Sequence, residues 1–90
     1  MVTVHFTANL RRHVDCPEMD VDGATVGDAL DAYFAVHPAV RSYILDEQGA
    51  VRRHVAVFAD GSQITDPTTL SDPVAPGSEV YVMQALSGGI

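Results

Sequence analysis

The residues best suited to chemistry in this 90-residue chain stand at its end, Leu86-Ser87-Gly88-Gly89-Ile90. They follow a strand-like run, Glu79 to Ala85, so the chain reads as a rigid domain ending in a short arm tipped by two glycines. Glycine has no Cβ and takes backbone angles closed to other residues, so such an arm can thread a slot too narrow for any side chain. One use of that shape is to deliver a terminal carboxylate into another protein's active site. The other reading is a frayed end, because termini are commonly disordered and rich in glycine. The tail taken alone leaves both open.

The remaining reactive side chains form no recognisable centre. His5, His13, His37 and His54 fall on a strand, a loop, a helix end and a strand, share no metal-ligand spacing, and read as surface residues. Asp20 with Asp22, Asp28 with Asp31, and Asp46 with Glu47 lack the glycine and terminal glutamate of a calcium loop and suit caps, turns and solubility. Cys16 sits beside Pro17 with only Arg11 and Arg12 nearby to lower its pKa, so it reads as a turn cysteine rather than a nucleophile. Arg52-Arg53-His54 makes a small cationic patch, suited to an acidic partner or simply solvated. No nucleophile–base pair, phosphate loop or useful carboxylate pair occurs. No catalytic residue, metal site or bound cofactor is therefore expected, and the chain is not read as an enzyme.

Ninety residues make one domain with a limited core. With 47% hydrophobic and 19% charged residues it is globular rather than disordered. A net charge of −7 argues against nucleic acid and anionic membrane as partners, since phosphate binding needs clustered cations. It is compatible with docking on a basic protein surface. The single cysteine excludes an internal disulfide, and no leader-like opening or membrane-length apolar run is found, so a cytoplasmic protein is expected.

The elements that must hold out the arm are legible in order. Val2, Val4, Phe6 and Ala8 alternate with polar residues, marking a half-buried strand, and Glu18 to Val21 suits a hairpin partner. Thr25 is a good helix N-cap with Asp28 three residues on. Val26, Ala29, Leu30, Tyr33 and Phe34 follow at helical spacing until His37-Pro38. A shorter helix is expected over 39–45. His54 to Asp60 alternates again, Asp60-Gly61 signals a hairpin, and Ser62 to Thr65 would be the return strand. An irregular loop pinned by Leu70 leads to Pro76-Gly77, suited to a type II turn, and then to the last strand.

One amphipathic helix needs one apolar sheet face to cover. The period of two assigns Val2, Val4, Phe6, Val55, Val57, Val80 and Val82 to that face. Phe58, Tyr81 and Met83 fall on the other side. They are either a partner-docking patch, being of types enriched at interface cores, or an ordinary outer sheet face.

At this point the chain resembles the β-grasp (ubiquitin-like) sulfur carriers of the ThiS/MoaD family. The resemblance spans the whole chain. It rests on Val2-Thr3-Val4-His5-Phe6 with Asn9-Leu10-Arg11, on Thr25-Val26-Gly27-Asp28-Ala29-Leu30, and on Val55 to Gly61. It ends with Pro76-Gly77-Ser78-Glu79-Val80 and Ser87-Gly88-Gly89. Arg52-Arg53-His54-Val55 and the stretch from Gln84 to Gly89 look closest to the carriers serving cysteine biosynthesis. The fold it implies is α+β: a mixed sheet of four to five strands, covered on one face by one main helix, with a short second helix. The domain would occupy 1–85 and a flexible tail 86–90.

The resemblance also implies chemistry done on this protein by others. An adenylating enzyme of the ubiquitin-activating type, using ATP, would join the Gly89 carboxylate to AMP, with Gly88 as slender spacer. Sulfur would then displace AMP, and the thiocarboxylate would serve a sulfur-acceptor synthase in a cysteine, thiamin, molybdopterin or secondary-metabolite route. Most such carriers end at the glycine pair, whereas Ile90 follows here, and its β-branched side chain would clash in a tunnel shaped for glycine. A precursor cut between Gly89 and Ile90, by a zinc peptidase of the JAMM type, is therefore expected. A ubiquitin-like modifier joined through Gly89 to target lysines and a noncovalent interaction domain remain the alternatives.

Overall fold

The alternation of Val2, Val4 and Phe6 with Thr3 and His5 is realised as strand β1 (Val2–Phe6), its apolar residues buried and its polar ones half-exposed. The computed structural model describes residues 1–84, with Asn9 described by its backbone alone. In chain order there follow α1 (Ala8–Arg11), β2 (Met19–Val21), α2 (Val26–Val36), α3 (Pro38–Ile44), β3 (Val55–Ala59), β4 (Ser62–Gln63) and β5 (Glu79–Gln84). The strands form one mixed sheet in the order β2-β1-β5-β3-β4. β1 and β5 pair in parallel, with Val4 opposite Val80 and Phe6 opposite Val82; the other pairings are antiparallel.

Helix α2 lies across one face of the sheet and buries Val26, Ala29, Leu30, Tyr33 and Phe34 against it. The seven sheet residues assigned by the period of two are all buried there, none more than 8% exposed. Removing a large apolar side chain wholly from water contributes about 1.5–3 kcal/mol, so this shared core is the main stabilising element. The helix begins as its sequence dictates, for the Thr25 hydroxyl accepts from the Asp28 N–H at 3.1 Å. Two more first-turn donors are taken by the loop over 66–72: Val26 N–H donates to Asp72 O and Gly27 N–H to Leu70 O, both at 2.9 Å. Leu70, 4% exposed, anchors that loop in the core.

Four local features differ from the sequence expectation. The return strand expected over 62–65 pairs only at Ser62–Gln63. One further bond runs from Ile64 N–H to Val57 O, after which the Asp72 carboxylate captures the N–H groups of Thr65 and Asp66. A side chain thus offers the backbone an alternative to the ladder, and the strand stops. Helix α1 was not expected at all; buried Leu10, 3% exposed, holds this single turn to the core. Cys16 is not a spare turn residue but part of the core, at 1% exposed. The short helix expected over 39–45 is α3, which starts one residue earlier because Pro38 occupies its first turn, where a missing N–H costs nothing.

Both expected turns form. Asp60 and Gly61 have φ of 51° and 86°, the positive pair a two-residue hairpin requires, and Gly77 has φ of 90° after Pro76. Among the described residues no helix is long and apolar enough to cross a membrane. The expected arm, 86–90, with Gly88, Gly89 and Ile90, lies outside the described residues.

Candidate functional site

The strand that the glycine pair follows in sequence is the centre of the sheet. β5 is paired on both sides, with β1 in parallel and with β3 antiparallel, so its last described residue, Gln84, is held opposite Val55. Its beginning is fixed as well. The Asp60 carboxylate accepts from the Glu79 N–H at 2.9 Å and from the Ser78 hydroxyl at 2.8 Å, and the Ser78 oxygen accepts from Ala75 N–H. The Glu79 N–H and then the Ser78 hydroxyl hold the Asp60 carboxyl below the usual carboxylate range. The hairpin after β3 is thereby tied to the start of β5.

On the face away from α2, the pairing brings the expected patch together. Phe58 stands directly opposite Tyr81, and Met83 follows on the same face opposite Ala56. Phe58 and Met83 are half-buried, while Tyr81 is 37% exposed. On its other side Tyr81 faces His5 of β1, whose ring stacks on it with centroids 4.3 Å apart and planes within 9° of parallel. His5 Nδ1 lies 2.9 Å from Glu18 and Nε2 2.9 Å from Glu79. Thr3 donates to Asp20 at 2.6 Å beside it. The patch is therefore apolar and aromatic at its centre, with an acidic rim of Glu18, Asp20 and Glu79.

His5, which by sequence suits an ordinary surface position, is clamped and half-buried in the fold. The period of two already placed it on Tyr81's side of the sheet; only the register placed it against that ring. The other histidines gather no ligands, and among the described residues no group of three or more His, Cys, Asp or Glu could hold a metal ion.

Cys16 offers no nucleophile either. Burial raises its pKa, with the Arg11 charge lowering it by less and Asp15 adding to the rise. The neighbouring Tyr33 hydroxyl donates to Pro17 O at 2.7 Å and is also held above its ordinary value by burial. An open cleft of about 340 Å³ lies elsewhere, lined by Gly27, Asp31, Arg41, Gln48, Thr69 and Leu70 among others.

A five-stranded mixed sheet with parallel central strands, wrapped on one face by a helix and ending in its central strand, defines a ubiquitin-like β-grasp protein. The chain belongs to the ThiS family, whose model matches residues 4–89. It is 39% identical over 72 residues to small archaeal modifier protein 1 of Haloferax volcanii, a match covering 79% of this chain and 78% of that one. The crystal structure of the Haloferax volcanii protein superposes with a TM-score of 0.77 at 33% identity, covering 98% of each chain. A chain in the crystal structure of the Amycolatopsis orientalis BexX/CysO complex superposes with a TM-score of 0.81 at 22% identity, covering 94% of this chain and 96% of that one. This second likeness is one of fold. The family is one of small carriers and modifiers, not of enzymes.

Proposed function

We propose that this protein is a sulfur carrier whose Gly89, once Ile90 is removed, is adenylated and converted to a thiocarboxylate. The observation that carries the reading is the junction of fold and sequence at the end of β5. β5 is paired on both sides, and in the sequence it is followed within six residues by Gly88-Gly89-Ile90. The chemistry needs that arrangement. A free carboxylate is a poor electrophile; joining it to AMP, with release of pyrophosphate, supplies a leaving group. A sulfur nucleophile then displaces AMP and leaves a terminal sulfur more nucleophilic than oxygen. The domain contributes a rigid mount, and the glycines contribute a passage through a narrow slot.

The outer patch of Phe58, Tyr81 and Met83 is the surface we assign to the adenylating partner. Aromatic residues and methionine are enriched at the cores of such interfaces. The route receiving the sulfur would be set by the acceptor synthase. The BexX/CysO complex, containing a chain of this fold beside another protein, supports partnership of this kind.

The test is intact mass spectrometry after incubation with the candidate zinc peptidase, the adenylating enzyme, ATP and sulfide. Loss of Ile90 and exchange of one oxygen for sulfur are expected. Retention of Ile90 with no such exchange overturns the reading. A second reading, conjugation through Gly89 to target lysines, is favoured by the 39% identity to a protein named as a modifier. Isopeptide adducts on other proteins in cells, absent when Gly88 and Gly89 are deleted, would establish it.

A further inference from the structure

The sheet register gathers four arginines at the point where the arm begins. β1 and β5 run in parallel, so the segment after β1 lies at the same end as Gln84; β3 runs antiparallel, so the segment before it lies there too. Thr7, just past β1, donates to Val82 O at 3.2 Å, and Arg11 and Arg12 form the end of the helical turn that follows. On the other side of β5, Arg52 N–H donates to Ile44 O at 2.9 Å and Val55 N–H to Arg52 O at 3.0 Å, which seats Arg52-Arg53 against the start of β3. Arg11, Arg12 and Arg53 are exposed; Arg52 spends its Nε on Ser42 O at 2.7 Å. Among the described residues none of the four forms an ion pair with a carboxylate. On these two segments, 7–18 and 52–54, the only acids are Asp15 and Glu18, and Glu18 is engaged by His5.

The opposite end of the sheet is acidic. Asp22 follows β2, Asp60 follows β3, Glu79 opens β5, and Asp72 caps the loop against the start of α2. A six-residue strand spans about 20 Å, more than twice the roughly 8 Å over which charges are felt at physiological salt. Four arginines therefore stand at the end of the sheet where β5 finishes, against Asp15 and Glu18 on these segments and Asp46 and Glu47 of the turn beside Arg52, on a chain of net charge −7.

All five cationic residues are arginine; the 90 residues contain no lysine. A guanidinium stays protonated and is no nucleophile, whereas a lysine amine attacks activated acyl groups. Five residues of chain span at most about 17 Å, so the covalent chain alone keeps Gly89 within that distance of Gln84.

We propose that Arg11, Arg12, Arg52 and Arg53 form a cationic collar that docks the root of the arm against a carboxylate-rich rim on the activating enzyme, and that its freedom from amines protects the activated terminus from self-capture. The proposal rests on the activation reading above. Self-capture at a lysine would form an amide, break the bond to AMP, and release AMP and a proton.

The experiment uses the chain ending at Gly89 with an adenylating enzyme and ATP, and reads pyrophosphate exchange at several salt concentrations. Arg12→Glu with Arg53→Glu, both at exposed positions, is expected to raise KM about tenfold and to flatten its salt dependence, with the circular dichroism spectrum unchanged. Arg12→Lys with Arg53→Lys is expected to restore KM and to accumulate a product lighter by one water. An unaltered KM in the Glu variant overturns the collar. Absence of the lighter product in the Lys variant overturns the protective role. No exchange even with the unaltered collar sinks the activation reading itself, and the collar with it.

Discussion

His5 of β1 lies flat against Tyr81 of β5, with ring centroids 4.3 Å apart, while Glu18 and Glu79 hold its two nitrogens. The two residues are far apart in sequence and meet only because the first and last strands pair in parallel. The contact braces one side of Tyr81 and leaves its other side to Phe58. It backs the Tyr81 ring on the sheet face that Phe58 and Met83 share.

That surface yields the first prediction. Phe58→Asp puts a charge at its centre, where a partner would desolvate it, so KM for adenylation should rise about tenfold or more. Phe58 lies on the face away from the α2 core, so the circular dichroism spectrum should not change. Steady-state pyrophosphate exchange measures the effect; an unchanged KM would show that the activating enzyme docks elsewhere.

Tyr33→Phe isolates one hydrogen bond in the core. The ring is fully buried, stacks obliquely on Phe6 at 4.8 Å, and its hydroxyl donates to Pro17 O. Phenylalanine keeps the packing and drops the bond, which should cost about 1 kcal/mol, or a Tm decrease of roughly 4–8 °C in a domain of this size. Differential scanning calorimetry would detect it. A Tm equal to that of the parent would mean the carbonyl is fully satisfied by water.

Leu30→Ala addresses the cover of the sheet. Leu30 is 0% exposed at the middle of α2, and its truncation should destabilise the domain by about 2–5 kcal/mol. A 90-residue domain has only about 5–13 kcal/mol in total, so the urea midpoint should fall by a large fraction. A loss below about 1 kcal/mol would contradict the packing of α2 on the sheet.

Acid should unfold the protein from the loop and the turn that frame β5. Asp66 is held below the usual range by the hydroxyls of Ser71 and Thr69, Asp72 by the Thr65 N–H and Asp60 by the Glu79 N–H. The folded pKa lies below the unfolded one in each case, so the unfolded chain binds protons first as pH drops. The stability these groups contribute is fully present above the unfolded value, near pH 4, and is lost as pH falls through the lower folded values. Urea midpoints from pH 7 to pH 2 should be flat at first and decline below about pH 4, with a smaller decline in Asp66→Asn. A rise in stability toward pH 2 would reverse the sign and refute the assignment.

What the amino-acid order determined by itself is what short-range rules govern. The strands declare themselves by a period of two, the helix by its spacing and the Thr25 cap, and the hairpin by Asp60-Gly61, because each depends on atoms a few residues apart. The glycine pair and its likeness to the ThiS/MoaD carriers were likewise readable from the chain alone. The tertiary structure decided the register. That register set His5 on Tyr81, ranged four arginines at the end of the sheet where β5 finishes, and drew Cys16 and Leu10 into the core. It also ended β4 early, where the Asp72 carboxylate outcompeted the ladder for Thr65. A local period says which face a residue takes; which strand lies beside it is settled by burial and pairing across the whole chain, and no local pattern encodes that.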